Sequence, residues 1–223
     1  QQTWNMDGGD DLLEKYDELD PRFAQTIAAH GANWNIEIGI LNFLPGGAHN
    51  VANDKTKHLV RKWVPRVLRA TAPRNSTNMD WIVFRVAELY LNYAEALNEY
   101  YETPPKEAFD AVLKVRERSG MPGFPSTLNK EQFREKLRRE RAVELAYEDH
   151  RFWDIRRWLI ADDEGVMKGA MYGLQLSAVT GAPGKVHYKP YVFENRLWSD
   201  RSYLHPIKQT EIDKGYMLQN PGW

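Results

Sequence analysis

Three glutamates at four-residue spacing, Glu140, Glu144 and Glu148, are the side chains of this sequence whose type and spacing could do chemistry. Two carboxylates that flank one bond are the machinery of a glycoside hydrolase. The same stretch is rich in arginine: Glu144 follows Arg141 by three residues, and Arg151 follows Glu148 by three. Residues three apart on a helix are neighbours, so the spacing favours ion pairs along the helix over a catalytic pair.

Large aromatic rings accompany these charges in the segment Arg138–Trp158. A solvent-facing helix has no need for Phe152, Trp153 and Trp158, and buried Arg–carboxylate pairs fix geometry more than they add stability. We therefore predict a structural clasp, in which the ion pairs fix a helix and the three rings anchor the chain that follows.

Other reaction centres are missing from the sequence. The chain has no cysteine, and none of its six histidines lies three or four residues from another, so it offers no helical pair of metal ligands. It also carries no phosphate-binding loop and no nucleophile motif. The acidic loop Asp7–Asp11 lacks the pattern of a calcium-binding EF-hand, and we expect it to be solvated. The sequence predicts no cofactor and no metal site.

Three tryptophans lie in polar stretches outside the apolar segments, at Trp4, Trp34 and Trp198. Binding residues collect on loops that a rigid scaffold supports. Because Asn33 and Asn35 flank Trp34, a sugar ring could stack on the indole while the amides hydrogen-bond its hydroxyls. Packing of each tryptophan beneath its own loop is the alternative. We name all five residues as candidate ligand-binding residues.

The composition is that of an ordinary soluble globular protein. The 223 residues include 30 basic and 31 acidic side chains, for a net charge of −1, and 42% are apolar. Such a balance provides no general attraction for nucleic acid, and the arginines of the clasp each have an acidic neighbour. No apolar run approaches the ~20 residues of a membrane-spanning helix.

The apolar pattern predicts the elements that position these side chains. Residues 82–101 are apolar on two helical faces, which indicates a helix between two neighbours. A second helix over 106–118 ends near Gly120 and forms an antiparallel hairpin with the first. A third begins with a cap at Thr127 or Asn129, breaks near Asp149 and resumes through Leu159.

The rest of the chain reads as irregular. Residues 1–81 and 161–203 are rich in loop signals, with brief strands predicted at Ile36–Ile38, Leu59–Val60 and Val186–Phe193. One short helix is expected from about Pro206 to Gly215. We predict a mainly α fold of antiparallel helix hairpins with long irregular loops and a few short strands. We expect one domain over 1–223, with a loop-rich part (1–81), a helical part (82–160) and a loop-rich C-terminal part (161–223).

Four segments resemble the SusD/RagB family of nutrient-binding outer-membrane lipoproteins of Bacteroidetes. They are Asp20–Phe23 (DPRF), Phe84–Glu99 (FRVAELYLNYAEALNE), Glu140–Trp158 (ERAVELAYEDHRFWDIRRW) and Tyr203–Trp223. Asp149 departs from the Gly or Asn that is frequent in the family. The resemblance implies a structural motif, not a ligand site, made of Arg85, Glu88, Glu95, Arg141, Glu144, Arg151, Trp153, Asp154, Arg156 and Trp158.

The resemblance also implies what such a protein does. It implies a SusD-like α fold, of which this chain is the C-terminal portion, without an N-terminal helical half that packs against it. It further implies binding of an oligosaccharide or other nutrient without catalysis, a lipid anchor on an N-terminal Cys at the outer membrane, and a SusC-like TonB-dependent transporter as partner. A glycoside hydrolase and a purely structural transporter-binding module are the alternatives. We expect an apolar patch on helix 82–101 where the missing helices pack.

Overall fold

A computed structural model describes residues 4–49, 51–67, 78 and 80–223. The described helices are α1 (Leu12–Asp17), α2 (Phe23–Thr26), α3 (Val86–Tyr100), α4 (Lys106–Glu117), α5 (Lys130–Glu144), α6 (His150–Arg157) and α7 (Gln209–Ile212), with a 3-10 turn at Asp200–Tyr203. The described strands are β1 (Ile27–Ala29), β2 (His58–Val60), β3 (Gly169–Ala178) and β4 (Val186–Arg196). β1 pairs with β2 and β3 with β4, both antiparallel. The predicted mainly α class is confirmed.

Helices α3, α4 and α5 pack around the first core of the protein. Its buried side chains include Leu91 of α3, Val112 of α4 and Phe133 of α5. The Asn129 side chain accepts the N–H of Gln132 at 2.9 Å, and the Gln132 side chain accepts the N–H of Asn129 at 3.1 Å. This reciprocal cap satisfies two backbone donors that a helix start leaves unpaired, so the predicted start of α5 at Asn129 is confirmed.

Helix α3 begins four residues later than predicted, at Val86. Arg85 is extended (φ −148°, ψ 163°). Its guanidinium bonds to Glu144 at the end of α5 and to Glu148 beyond it, which holds the chain extended ahead of the first helical turn. One face of α3 lies in the first core. The other face is exposed, and we call it the α3 outer stripe: Val86, Leu89, Tyr90, Tyr93 and Tyr100. The preceding residues 81–84 are also exposed and apolar, so the expected patch is confirmed.

A long hairpin, β3–β4, occupies much of the stretch 161–203. The strand predicted at Val186–Phe193 is confirmed within β4, whereas the loop character predicted for the residues of β3 is wrong. The pairing runs from Gly169 opposite Arg196 to Ala178 opposite Val186. Gly169 and Gly173 weaken the sequence signal of β3, because glycine is uncommon inside strands. At Gly173 a Cβ atom would lie 2.3 Å from the Lys55 carbonyl oxygen, so the glycine permits close backbone approach.

The hairpin closes a second core with the N-terminal part of the chain. Its buried side chains include Leu12, Phe43, Leu176 and Tyr188. The predicted strand at Leu59–Val60 is confirmed within β2.

The strand predicted at Ile36–Ile38 is wrong. The Asn35 Oδ1 atom accepts the N–H groups of Glu37 and Ile38 at 3.1 and 2.8 Å. An asparagine that bonds its own downstream backbone in this way forms a turn, and Ile36 therefore points into solvent. The short C-terminal helix is confirmed as α7, with Gly215 (φ +80°) beyond its end.

Candidate functional site

Glu140, Glu144 and Glu148 lie together where α5 ends, and each is buried. They meet cations from four other parts of the described chain. We call this set the central ion-pair network: Asp20, Arg22, Lys62, Arg85, Arg116, Arg118, Glu140, Glu144 and Glu148. Burial of charges on this scale requires that each be paired and hydrogen-bonded.

Arg22 is at the centre of the network and is itself buried. Its Nη1 donates to Glu140 Oε1 at 2.6 Å and to Glu144 Oε2 at 2.8 Å. Its Nη2 and Nε donate to the carboxylate of Asp20 at 2.6 and 2.9 Å. Asp20 also accepts the backbone N–H of Arg22 at 2.9 Å, so the short turn before α2 fixes the guanidinium in place.

Arg85 and Lys62 close the network at the C-terminus of α5. Arg85 donates to Glu144 Oε1 and to Glu148 Oε2, both at 2.7 Å. The Lys62 ammonium bonds to the Glu148 carboxylate and to the carbonyl oxygens of Glu144 and Ala146, each carbonyl at 3.0 Å. Cations are favourable at the negative end of the helix dipole, so the network caps α5 as well as joining distant segments.

These ion pairs determine the protonation of the carboxylates. Burial acts to raise the pKa of Glu144 and of Glu148, but hydrogen bonds from Arg22, Arg85 and Lys62 outweigh it and hold both pKa values below the usual range. A general acid of a glycoside hydrolase needs a raised pKa instead. The geometry therefore keeps these glutamates ionised and fully engaged with cations.

The ion pairs predicted along one helix, Arg141 with Glu144 and Glu148 with Arg151, are wrong. Arg141 instead donates to Asp154 at 3.0 Å and to the Asn92 side chain at 2.6 Å. Glu144 is paired with Arg22, Arg85 and Arg118 instead. Helix α5 stops at Glu144. Tyr147 and Asp149 then adopt positive φ angles of 61° and 66°, which turn the chain so that Glu148 and Arg151 do not share a helix face.

The rest of the motif joins α6 to α3. Glu95 accepts from Trp158 Nε1 at 2.7 Å and from Arg157 Nη2 at 2.7 Å, and the imidazole of His150 lies 3.5 Å from Glu88. Trp158 thus anchors the end of α6. Trp153 is 59% exposed, so the prediction that it anchors the following chain is wrong for the described residues.

Beside the network lies a groove of about 910 Å³, which we call the aromatic groove. Its rings are Phe23, Trp63, Trp81, Tyr147 and Phe152. Trp63 and Trp81 stack with centroids 4.9 Å apart, and Trp63 Nε1 donates to the Tyr147 carbonyl at 2.7 Å. Trp81 lies five residues before Val86, the first residue of α3 and of the α3 outer stripe.

The candidate residues around Trp34 are largely engaged within the protein. The Arg61 guanidinium lies 5.5 Å from the centre of the Trp34 ring and donates to the Asn33 carbonyl at 3.0 Å. The Asn35 Nδ2 donates to the Arg66 carbonyl at 2.7 Å. Trp34 packs against the second core.

The two other candidate tryptophans lie in different surroundings. Trp4 meets Tyr188 edge-on with centroids 5.0 Å apart, at the second core. Trp198 meets Tyr203 at 5.2 Å, and the Arg156 guanidinium of α6 lies 5.2 Å from its ring. The structure thus brings Trp4 and Trp34 to one core and leaves Trp198 beside α6.

Sequence reasoning did not single out Arg22, Lys62, Arg116 or Arg118. Arg22 lies in the family segment Asp20–Phe23, which marks it as a residue of interest. Nothing in the sequence relates that segment to Glu140, which is 118 positions away. Within the described residues no group of three His, Asp or Glu side chains is arranged to hold a metal ion. In the same residues no helix is long and apolar enough to cross a bilayer.

Comparisons with known proteins all match SusD-like proteins. The model of the SusD family matches residues 1–223. A SusD-like protein P25 of Formosa agariphila is 40% identical over 95 residues, which are 41% of this chain and 18% of that protein.

Solved structures match over most of this chain. A SusD-like protein of Bacteroides fragilis aligns with a TM-score of 0.79 and 29% identity, over 97% of this chain and 41% of that one. A SusD-like carbohydrate binding protein of the same species aligns with a TM-score of 0.65 and 27% identity, over 87% and 40%. The chain therefore spans about two fifths of these solved relatives, and it belongs to the SusD family.

Proposed function

We propose that the protein binds an oligosaccharide or another nutrient at the outer surface of the cell without chemically altering it. The observation that carries this proposal is the state of the three glutamates in a SusD family chain. Each carboxylate is held by arginine or lysine, so none is poised to protonate a glycosidic oxygen. One solved relative is described as a carbohydrate binding protein, which supports a glycan as the ligand.

For the ligand contacts we propose the loop residues Trp4, Asn33, Trp34, Asn35 and Trp198. Indole rings provide flat apolar faces with one polar edge, which suits the C–H face of a sugar. The side chains of Trp4, Trp34 and Trp198 are partly exposed. The motif around Arg141 and Trp158 has a different part: it holds α3, α5 and α6 in the arrangement that supports these loops.

We further propose that the protein works with a SusC-like TonB-dependent transporter and is lipid-anchored at the outer membrane, as the family resemblance implies. The solved relatives are more than twice as long as this chain. We propose that the N-terminal helical half of the full-length protein covers the α3 outer stripe and the aromatic groove, because an apolar stripe at helical spacing fits another helix.

The test is glycan binding by the full-length protein. We expect affinity for at least one oligosaccharide of a broad panel, measured by calorimetry, and weaker binding by Trp34→Ala and Trp198→Ala. Tyr216→Ala, which removes a 63% exposed ring outside the α3 outer stripe and the candidate residues, is the matched control. Normal binding by both tryptophan variants would refute the assignment of those residues.

Two outcomes would favour other functions. Release of reducing ends from a polysaccharide by the purified protein would establish a glycoside hydrolase. Normal assembly with the transporter, together with no binding across the glycan panel, would establish a structural module instead. Co-purification of the tagged full-length protein with the transporter measures the assembly directly.

A further inference from the structure

A second, smaller cavity lies where the N-terminal loop and the residues around β2 meet the β3–β4 hairpin. Its volume is about 250 Å³. Pockets for drug-sized ligands begin at about 300 Å³, so this cavity has room for one ring. It is lined by Trp4, Met6, Thr56, His58, Tyr172, Gly173, Leu174 and Pro190.

Two aromatic side chains of the lining are placed by the surrounding fold. Trp4 is fixed by edge-on contacts with Tyr188 and Tyr16, at centroid distances of 5.0 and 6.4 Å. Tyr172 follows an irregularity in the β3–β4 register, between Met171 and Tyr172. Such bulges redirect a side chain, and Tyr172 remains 51% exposed. The cavity is therefore lined by one indole ring that two tyrosine rings fix in place and by one phenol ring that is open to solvent.

The lining also contains a polar ring that its neighbours hold in place. His58 lies in this lining, and its Nε2 is 2.9 Å from the Tyr16 hydroxyl. Burial lowers the pKa of His58, and the backbone of Thr56 also bonds to its ring. The imidazole is therefore neutral at neutral pH and held in place at the side of the cavity.

We propose that this cavity is a carbohydrate subsite that takes a single pyranose ring against the rings of Trp4 and Tyr172. The proposal rests on the proposed function, to which it adds a location. An indole and a phenol ring each offer a flat apolar face and one polar edge, which suits a pyranose. The aromatic groove fits a single ring less well, because its volume is about 910 Å³.

The experiment uses the indole N–H signal of Trp4 in the nuclear magnetic resonance spectrum of the ¹⁵N-labelled 223-residue chain. Trp4→Phe identifies the signal by its loss. The probes are the methyl glycosides of glucose, galactose, mannose and xylose, with phenol as a non-sugar ring. We expect at least one glycoside to shift the signal in a saturable way. A shift with phenol alone, or with none of the probes, would overturn the proposal.

A variant with a control then tests the Tyr172 ring. Tyr172→Ala should raise the Kd of that glycoside about tenfold or more, equivalent to about 1.4 kcal/mol, whereas Tyr100→Ala should leave it unchanged. Equal Kd values for Tyr172→Ala and the unaltered protein would overturn the subsite.

The subsite and the proposed function can fail separately. If the full-length protein binds an oligosaccharide and both Trp4→Phe and Tyr172→Ala bind it normally, the subsite is overturned and the function stands. If no oligosaccharide and no glycoside binds, both are overturned.

Discussion

Arg22 and Glu140 stand 118 positions apart in the chain, yet their side chains form a buried ion pair of 2.6 Å. The pair joins the loop-rich part at 1–81 to the helical part at 82–160. Because Arg22 also reaches Glu144 and Asp20, one guanidinium holds three carboxylates. We propose on this basis that the two parts unfold together as one domain.

Arg22→Ala should lower the free energy of unfolding by about 3–5 kcal/mol, because removing one partner leaves buried charges uncompensated. Urea denaturation followed by tryptophan fluorescence measures the change. Arg139→Ala, which removes an exposed arginine of α5, should change stability by less than about 0.5 kcal/mol. Equal effects of the two variants would contradict a central role for Arg22.

Stability should fall in acid. In the folded protein burial acts to raise the pKa of Glu144 and Glu148, but their cationic partners hold both values below 4.5. A depressed folded pKa contributes stability above the unfolded pKa, and that contribution disappears as pH falls through the folded pKa. Denaturation from pH 7 to pH 3 should show this loss. Glu144→Gln should be less stable at pH 7 and lose less below pH 4.5, and an unchanged slope would refute the link.

Asn129→Ala should destabilise the protein by about 1 kcal/mol, because it removes the side-chain acceptor at the start of α5. Thermal unfolding measures the change. Asn129→Ser keeps an acceptor and should restore most of the loss. A serine variant as unstable as the alanine variant would show that the cap is not the cause.

The α3 outer stripe should tolerate charge in the 223-residue chain. Leu89→Glu with Tyr93→Glu replaces two exposed side chains, so the unfolding free energy should change by less than about 1 kcal/mol. We expect the exposed apolar stripe to make the 223-residue chain self-associate, and the double variant should associate less in analytical ultracentrifugation. Lys136→Glu with Arg139→Glu on the exposed face of α5 is the control and should leave association unchanged.

In the full-length protein the same double substitution should act differently. If helices of the full-length protein cover the stripe, two buried glutamates without partners should destabilise it by several kcal/mol. Unchanged thermal stability of the full-length variant would show that another surface makes this contact.

The sequence by itself determined the helices from α3 onwards, because their signals are local, but it did not predict the short helices α1 and α2. Apolar spacing placed α3 and α4, the Asn129 side chain marked the start of α5, and Gly120 marked the end of α4. The family motifs are likewise local strings of residues, so they identified the SusD family without a structure.

Tertiary structure alone decided which charges meet. Helical spacing assigned Glu144 to Arg141, and both lie in α5, yet Arg141 bonds to Asp154 and Asn92 instead. Arg22 and Arg85 then approach from segments far away in sequence. No periodicity encodes such long-range pairs, because their geometry depends on how segments far apart in sequence come together in the fold.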